Sequence, residues 1–79
     1  MDPTFTDKQG QYLAYIHCYT KINGRAPAEA DMQHYFKVSP PSVHQMVVKL
    51  ESLGLIERKP GAARSIKMLV DPDTIPPLK

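Results

Sequence analysis

Apolar positions recur along the chain at two periods, and the change of period divides it. Tyr12, Leu13, Ile16 and Thr20 fall at i, i+1, i+4 and i+8, one stripe of a helix. Thr6-Asp7-Lys8-Gln9 has the spacing of a capping box, in which the Thr6 hydroxyl accepts from the Gln9 N–H and the Gln9 side chain reaches back. Asn23-Gly24 supplies residues that end a helix in a left-handed turn, so helix 1 is expected over 7–22. Arg25-Ala26-Pro27 forms an extended bridge, because proline biases the preceding residue away from helical angles. Helix 2 is expected over 28–36, with Glu29 and Asp31 at the positive end of its dipole and Ala30, Met32, Tyr35 and Phe36 on its apolar side. Lys37-Val38 is a very short connection before Ser39 and forces a sharp corner.

Val43, Met46, Val47, Leu50 and Leu53 then repeat at i, i+3, i+4, i+7 and i+10, and Gly54 stands where a helix stops, giving helix 3 over 40–53. Beyond it the period falls towards two. Leu55–Lys59 and Ser65–Leu69 alternate in part around Pro60-Gly61-Ala62-Ala63-Arg64, the pattern of a hairpin. The last nine residues, "DPDTIPPLK", hold three prolines and are expected to build no regular structure. The chain therefore divides into a domain over 1–70 and a Pro-rich C-terminal tail over 71–79. Helix, helix, tight corner, helix and hairpin in that order is a winged helix-turn-helix: mainly α, a three-helix bundle with a small β-hairpin as the wing.

At 79 residues, with 42% apolar and 23% charged, the chain has the composition of one small globular domain. No apolar run approaches the ~20 residues of a membrane span, and no signal-peptide pattern opens the chain, so a cytoplasmic location without membrane attachment is expected. The single cysteine, Cys18, closes no internal disulfide, and with three scattered histidines it matches no metal spacing. His17 and His34 read as ordinary surface or boundary residues, and the tyrosines as core and core-edge packing. No phosphate loop, carboxylate pair or activated nucleophile is present, so neither catalysis, cofactor nor small-molecule ligand is expected.

Charge is unevenly spread. Residues 1–36 carry three basic and four acidic side chains, residues 37–67 six and two. A local cationic surface is the footprint of a polyanion, although charge runs are often only a solvated face. The outward face of helix 3 would carry Ser42, His44, Gln45, Val48, Lys49 and Ser52. Glutamine pairs with adenine, serine bonds several base edges, histidine donates to guanine N7, and lysine suits phosphate or guanine. With Ser39 as N-cap, Pro40 and Pro41 occupy the two positions whose N–H groups have no partner inside a helix, which stiffens its start. Lys59 and Arg64 bracket the hairpin tip, where a basic loop would lie along phosphates or reach into the minor groove, with Lys67 behind them on the second strand.

Taken together, "FT-x-x-Q" at 5–9, the Leu13/Ile16 pair, "NG-x-x-P" at 23–27, "SP" at 39–40, "LESLGLIER" at 50–58 and "PGAARSIKML" at 60–69 resemble the N-terminal DNA-binding domain of LexA-type repressors. That resemblance implies a sequence-specific repressor of double-stranded DNA, with Ser39, Pro41, Ser42, His44 and Gln45 towards the operator and the wing on its backbone. Two departures stand out: Pro41 replaces a common polar reader, and "FKVS" is one residue shorter with Lys37 in place of the usual glycine. "VSPPSVHQMVVKLESLGLI" is also similar to the recognition helix of the metal-dependent diphtheria toxin repressor family, from which no metal ligand carries over. LexA proteins continue into a self-cleaving, dimerising domain that this chain is not expected to contain, so a functional regulator is expected to need a homodimer, tandem sites or a partner protein. Ile75 and Leu78 are the apolar tail residues available for such a contact. The competing reading is a winged helix that binds protein and has no intrinsic DNA specificity.

Overall fold

In the computed structural model, which describes residues 5–79, the chain runs α1 (Asp7–Asn23), α2 (Glu29–Phe36), α3 (Pro40–Ser52), β1 (Ile56–Glu57), β2 (Lys67–Met68) and a 3₁₀ turn, Pro72–Thr74. The first four residues of the expected 1–70 domain lie outside the described residues. Each helix boundary has a visible cause. Thr6 Oγ1 accepts from Gln9 N at 3.1 Å and Gln9 Oε1 accepts from Thr6 N at 2.9 Å, closing the capping box. Ala28 has no capping side chain, and Asp31 compensates by accepting from the Ala28 N–H at 2.8 Å. At the end of α3, Gly54 turns left-handed (φ 75°), and Leu55 donates to Leu50 while Gly54 donates to Glu51, both at 3.0 Å. This Schellman closure brings Leu55 back into the core.

The core is one cluster: Tyr12, Leu13 and Ile16 from α1, Met32 from α2, Val43, Val47 and Leu50 from α3, then Leu55 and Ile56. Four side chains expected on apolar stripes are exposed instead, and Phe36 and Met46 are only partly buried against the cluster. Ala30 lies two residues from Met32, roughly 200° around the helix, and is exposed. Tyr35 is only partly covered, because the eight residues of α2 bury little beyond Met32 and the Phe36 ring that stacks on Tyr12 at 4.2 Å. Leu53 is exposed since the chain turns away after it and Leu55 takes the inner place. Thr20 is exposed at the edge of a shallow cleft it shares with Ile66 and Met68, and its hydroxyl donates to Ile16 O.

The wing is antiparallel, pairing Ile56 with Met68 and Glu57 with Lys67. Its strands are two residues long rather than the five expected. Past Glu57 the ladder stops because Lys59 N donates to the Ser65 hydroxyl instead of to a strand carbonyl, and Pro60 has no N–H to offer. Lys59-Pro60-Gly61-Ala62 closes a turn through Ala62 N and Lys59 O at 3.1 Å, with Gly61 at φ 75°.

The tail also departs from expectation. Asp71 caps a turn that begins on Pro72, a position that needs no N–H, and the following residues lie on α1. Gln11 donates to Pro77 O at 3.0 Å and accepts from Lys79 N at 2.9 Å, while Tyr35 OH donates to Lys79 O. Gly10 makes this approach feasible: a Cβ there would stand 2.9 Å from Pro76 Cγ. Ile75 packs against the core, and Leu78 is half-buried beside Cys18.

Candidate nucleic-acid interface

Burial of Val43, Val47 and Leu50 fixes the rotation of α3, and that rotation turns Ser42, His44, Gln45, Lys49 and Ser52 outward. Ser39, Pro40 and Pro41 are exposed at its start. Ser39 Oγ accepts from Ser42 N at 3.4 Å and lies 2.9 Å from Ser42 Oγ, so the cap uses the first N–H that the two prolines leave. His44 Nδ1 stands 3.4 Å from Glu29 Oε1, with its ring largely in solvent.

Two clefts flank this face. One, lined by Lys8, Gln9, Ser42, Gln45, Met46 and Lys49, brings the first turn of α1 beside the readers. Lys8 thus joins the surface although it lies far away in the chain, in the part whose charge is balanced, and no local pattern marks it. The other cleft, about 500 Å³, separates α3 from the wing and is lined by Glu29, His44, Arg58, Lys59 and Gly61.

The arginines behave differently from the lysines. Arg58 donates through Nε to Glu51 at 3.2 Å and through Nη1 to Glu29 at 3.3 Å. Arg64, expected at the wing tip towards phosphate, is turned inward. Its Nη1 lies 3.0 Å from Asp31 Oδ2, 3.0 Å from Tyr19 OH and 3.5 Å from Ala26 O, and its backbone sits at φ 55° to deliver it there. The Ala28 N–H and then the Arg64 charge hold the Asp31 carboxyl below the usual carboxylate range. Lys49, Lys59 and Lys67 are exposed, and among the described residues no lysine forms an ion pair. Around α3 and the wing the cationic surface is therefore made of lysines, while Arg58 and Arg64 brace the scaffold.

Such a surface on such a fold has known relatives. A sequence profile described as the LexA DNA binding domain matches residues 2–65. The chain belongs to the LexA DNA-binding domain family. Similar proteins include the LexA repressor of Thermosipho africanus (strain TCF52B), 36% identical over 70 residues that cover 89% of this chain and 35% of that protein. The LexA repressor of Thermosipho melanesiensis gives the same identity and shares, and that of Petrotoga mobilis is 42% identical over 65 residues, 81% of this chain and 31% of the relative. The chain spans about a third of the length of these curated relatives. In this LexA domain, "LESLGLIER" closes α3 and opens β1, and "PGAARSIKML" forms the wing loop and β2, so two of the motifs behind the resemblance build the hairpin. Among the described residues no helix is long and apolar enough to cross a membrane, and no group of three His, Cys, Asp or Glu is placed to hold a metal ion.

Proposed function

We propose that this LexA domain is the DNA-reading module of a transcriptional repressor. The N-terminal half of α3 enters the major groove, with Ser39, Pro41, Ser42, His44 and Gln45 towards base edges. Lys49, Lys59 and Lys67 contact phosphates, joined by Lys8 across the cleft. Arg64 serves from behind the surface. The observation that carries this reading is the uncovered polar face of α3, rotated outward by the buried Val43, Val47 and Leu50 and bordered by lysines that form no ion pair among the described residues. Because the prolines remove two N–H groups, the start of α3 is a poor cradle for phosphate, and side chains must do that work. One recognition helix buries a small interface, so two copies, or one copy and a partner protein, occupy an operator.

Selecting bound duplexes from a random pool and sizing the complexes tests the proposal. A recurring motif with two chains per site is the expected result. Gln45→Ala and His44→Ala should then lower preference for the selected duplex by about 1–3 kcal/mol per lost base contact, with little change on mixed-sequence DNA. Equal losses on every sequence would show that these side chains do not read bases. Binding that ignores salt would point to the protein-interaction role instead.

A further inference from the structure

Both limbs of the wing loop are tied to the first turn of α2. Arg58 leaves the end of β1 and reaches Glu29, and Arg64 precedes β2 and reaches Asp31. Two residues apart on one helix, these acids hold the two sides of a loop that has little ladder of its own. Arg64 is the tighter tie: three oxygens from α1, α2 and the bridge between them surround its Nη1. Its φ of 55° is a conformation that a non-glycine residue adopts at a cost, held in place by those contacts. The same Asp31 oxygen accepts the Ala28 N–H that starts α2.

We propose that Asp31 and Arg64, with Tyr19 as the second acceptor, form a latch that positions the wing relative to α3, so that Arg64 supports DNA binding without touching DNA. The proposal rests on the DNA-binding reading, and its sign is opposite to that of simple electrostatics. Removing an acid near a polyanion site raises affinity if charge alone matters. Removing this acid frees the wing, and the lysines it carries lose their common register with the recognition helix.

The test compares the wild-type domain with Asp31→Asn, Arg64→Ala and the double variant on fluorescent mixed-sequence duplex DNA across a salt series. Far-ultraviolet circular dichroism at the same temperature confirms that each variant is folded, and hydrogen exchange at the Lys59 and Ala62 amides reports wing order. The latch is expected to make each single variant bind roughly tenfold more weakly, the scale of one charge-assisted hydrogen bond. The double variant should be no worse than either single one. The salt slope should stay at the wild-type value, and both wing amides should exchange faster. Equal or tighter binding by Asp31→Asn overturns the latch, as does an Arg64→Ala variant whose slope falls by about 0.9 with unchanged exchange, the mark of a lost phosphate contact. If Asp31→Asn fails to fold, Tyr19→Phe removes an acceptor while leaving the α2 cap intact and should show weaker effects of the same direction; none at all counts against the latch. Should the wild-type domain bind no duplex, the DNA reading fails by itself, and exchange at the two amides decides the latch.

Discussion

Lys37 shows how one residue records the economy of the turn between α2 and α3. The corner needs a left-handed residue so that Val38 N can donate to Gln33 O at 3.2 Å, and lysine supplies it at φ 55°. A side chain in this region costs about 1–2 kcal/mol, whereas glycine loses about 0.5–1 kcal/mol more chain entropy on folding. The steric cost is larger. Lys37→Gly should therefore stabilise the domain by about 0.5–1 kcal/mol in urea denaturation, and a loss of stability would mean that the lysine stem makes a contribution beyond its backbone. Gly10 illustrates the converse, a position where the space denied to a side chain is taken by Pro76.

Among the elements, the wing has the least regular structure and the most exposed charge. Two ladder pairs, a proline-glycine turn and the Ser65 hydroxyl define it, and two arginines at its base fasten it to α2. If Lys59 and Lys67 meet phosphates, Lys59→Gln and Lys67→Gln should each flatten the plot of log affinity against log salt by about 0.9. Unchanged slopes would remove those lysines from the interface. The three helices were legible in the sequence because caps and stripes are local: Thr6 with Gln9, Ser39 ahead of two prolines, and the Val43-Val47-Leu50 repeat each specify their own turn. So was the rotation of α3, since its apolar side leaves one solvent-facing set of residues. The direction of Arg64 was not, because its partners lie 33 and 45 residues earlier and a backbone angle must become positive before they meet. The direction of Arg58 is hidden in the sequence for the same reason. Its acids sit on two helices, one of them 29 residues away. Strand length was overestimated because alternation in the side chains says nothing about a serine that captures the ladder's next N–H.

For the molecule as a whole, stability and charge are linked through Asp31. Its carboxyl accepts from Ala28 and Arg64 far more strongly when ionised, and Tyr19 and Tyr15 stand near the same pair. Because folding lowers its pKa below the ordinary value of 3.8, its contribution is complete only above about pH 5 and is lost as pH falls through the lower folded value. Acid unfolding of Asp31→Asn should accordingly be less steep below pH 4 than that of the wild-type domain, from a lower plateau at neutral pH. Parallel curves would assign the acid sensitivity to other carboxylates. The tail adds to this whole-molecule picture: Gln11 and Tyr35 bind its backbone at three points, which makes residues 71–79 part of the folded unit in this structure.

The ring arrangement between α1 and α2 gives the domain a built-in optical reporter. There is no tryptophan, so ultraviolet emission arises from four tyrosines, and Tyr12, Tyr15 and Tyr35 belong to the aromatic seam with Phe36. Neither α3 nor the hairpin contains a tyrosine. Fluorescence and near-ultraviolet dichroism therefore watch the seam alone, and only Tyr19, at the guanidinium of Arg64, extends their view to the base of the wing.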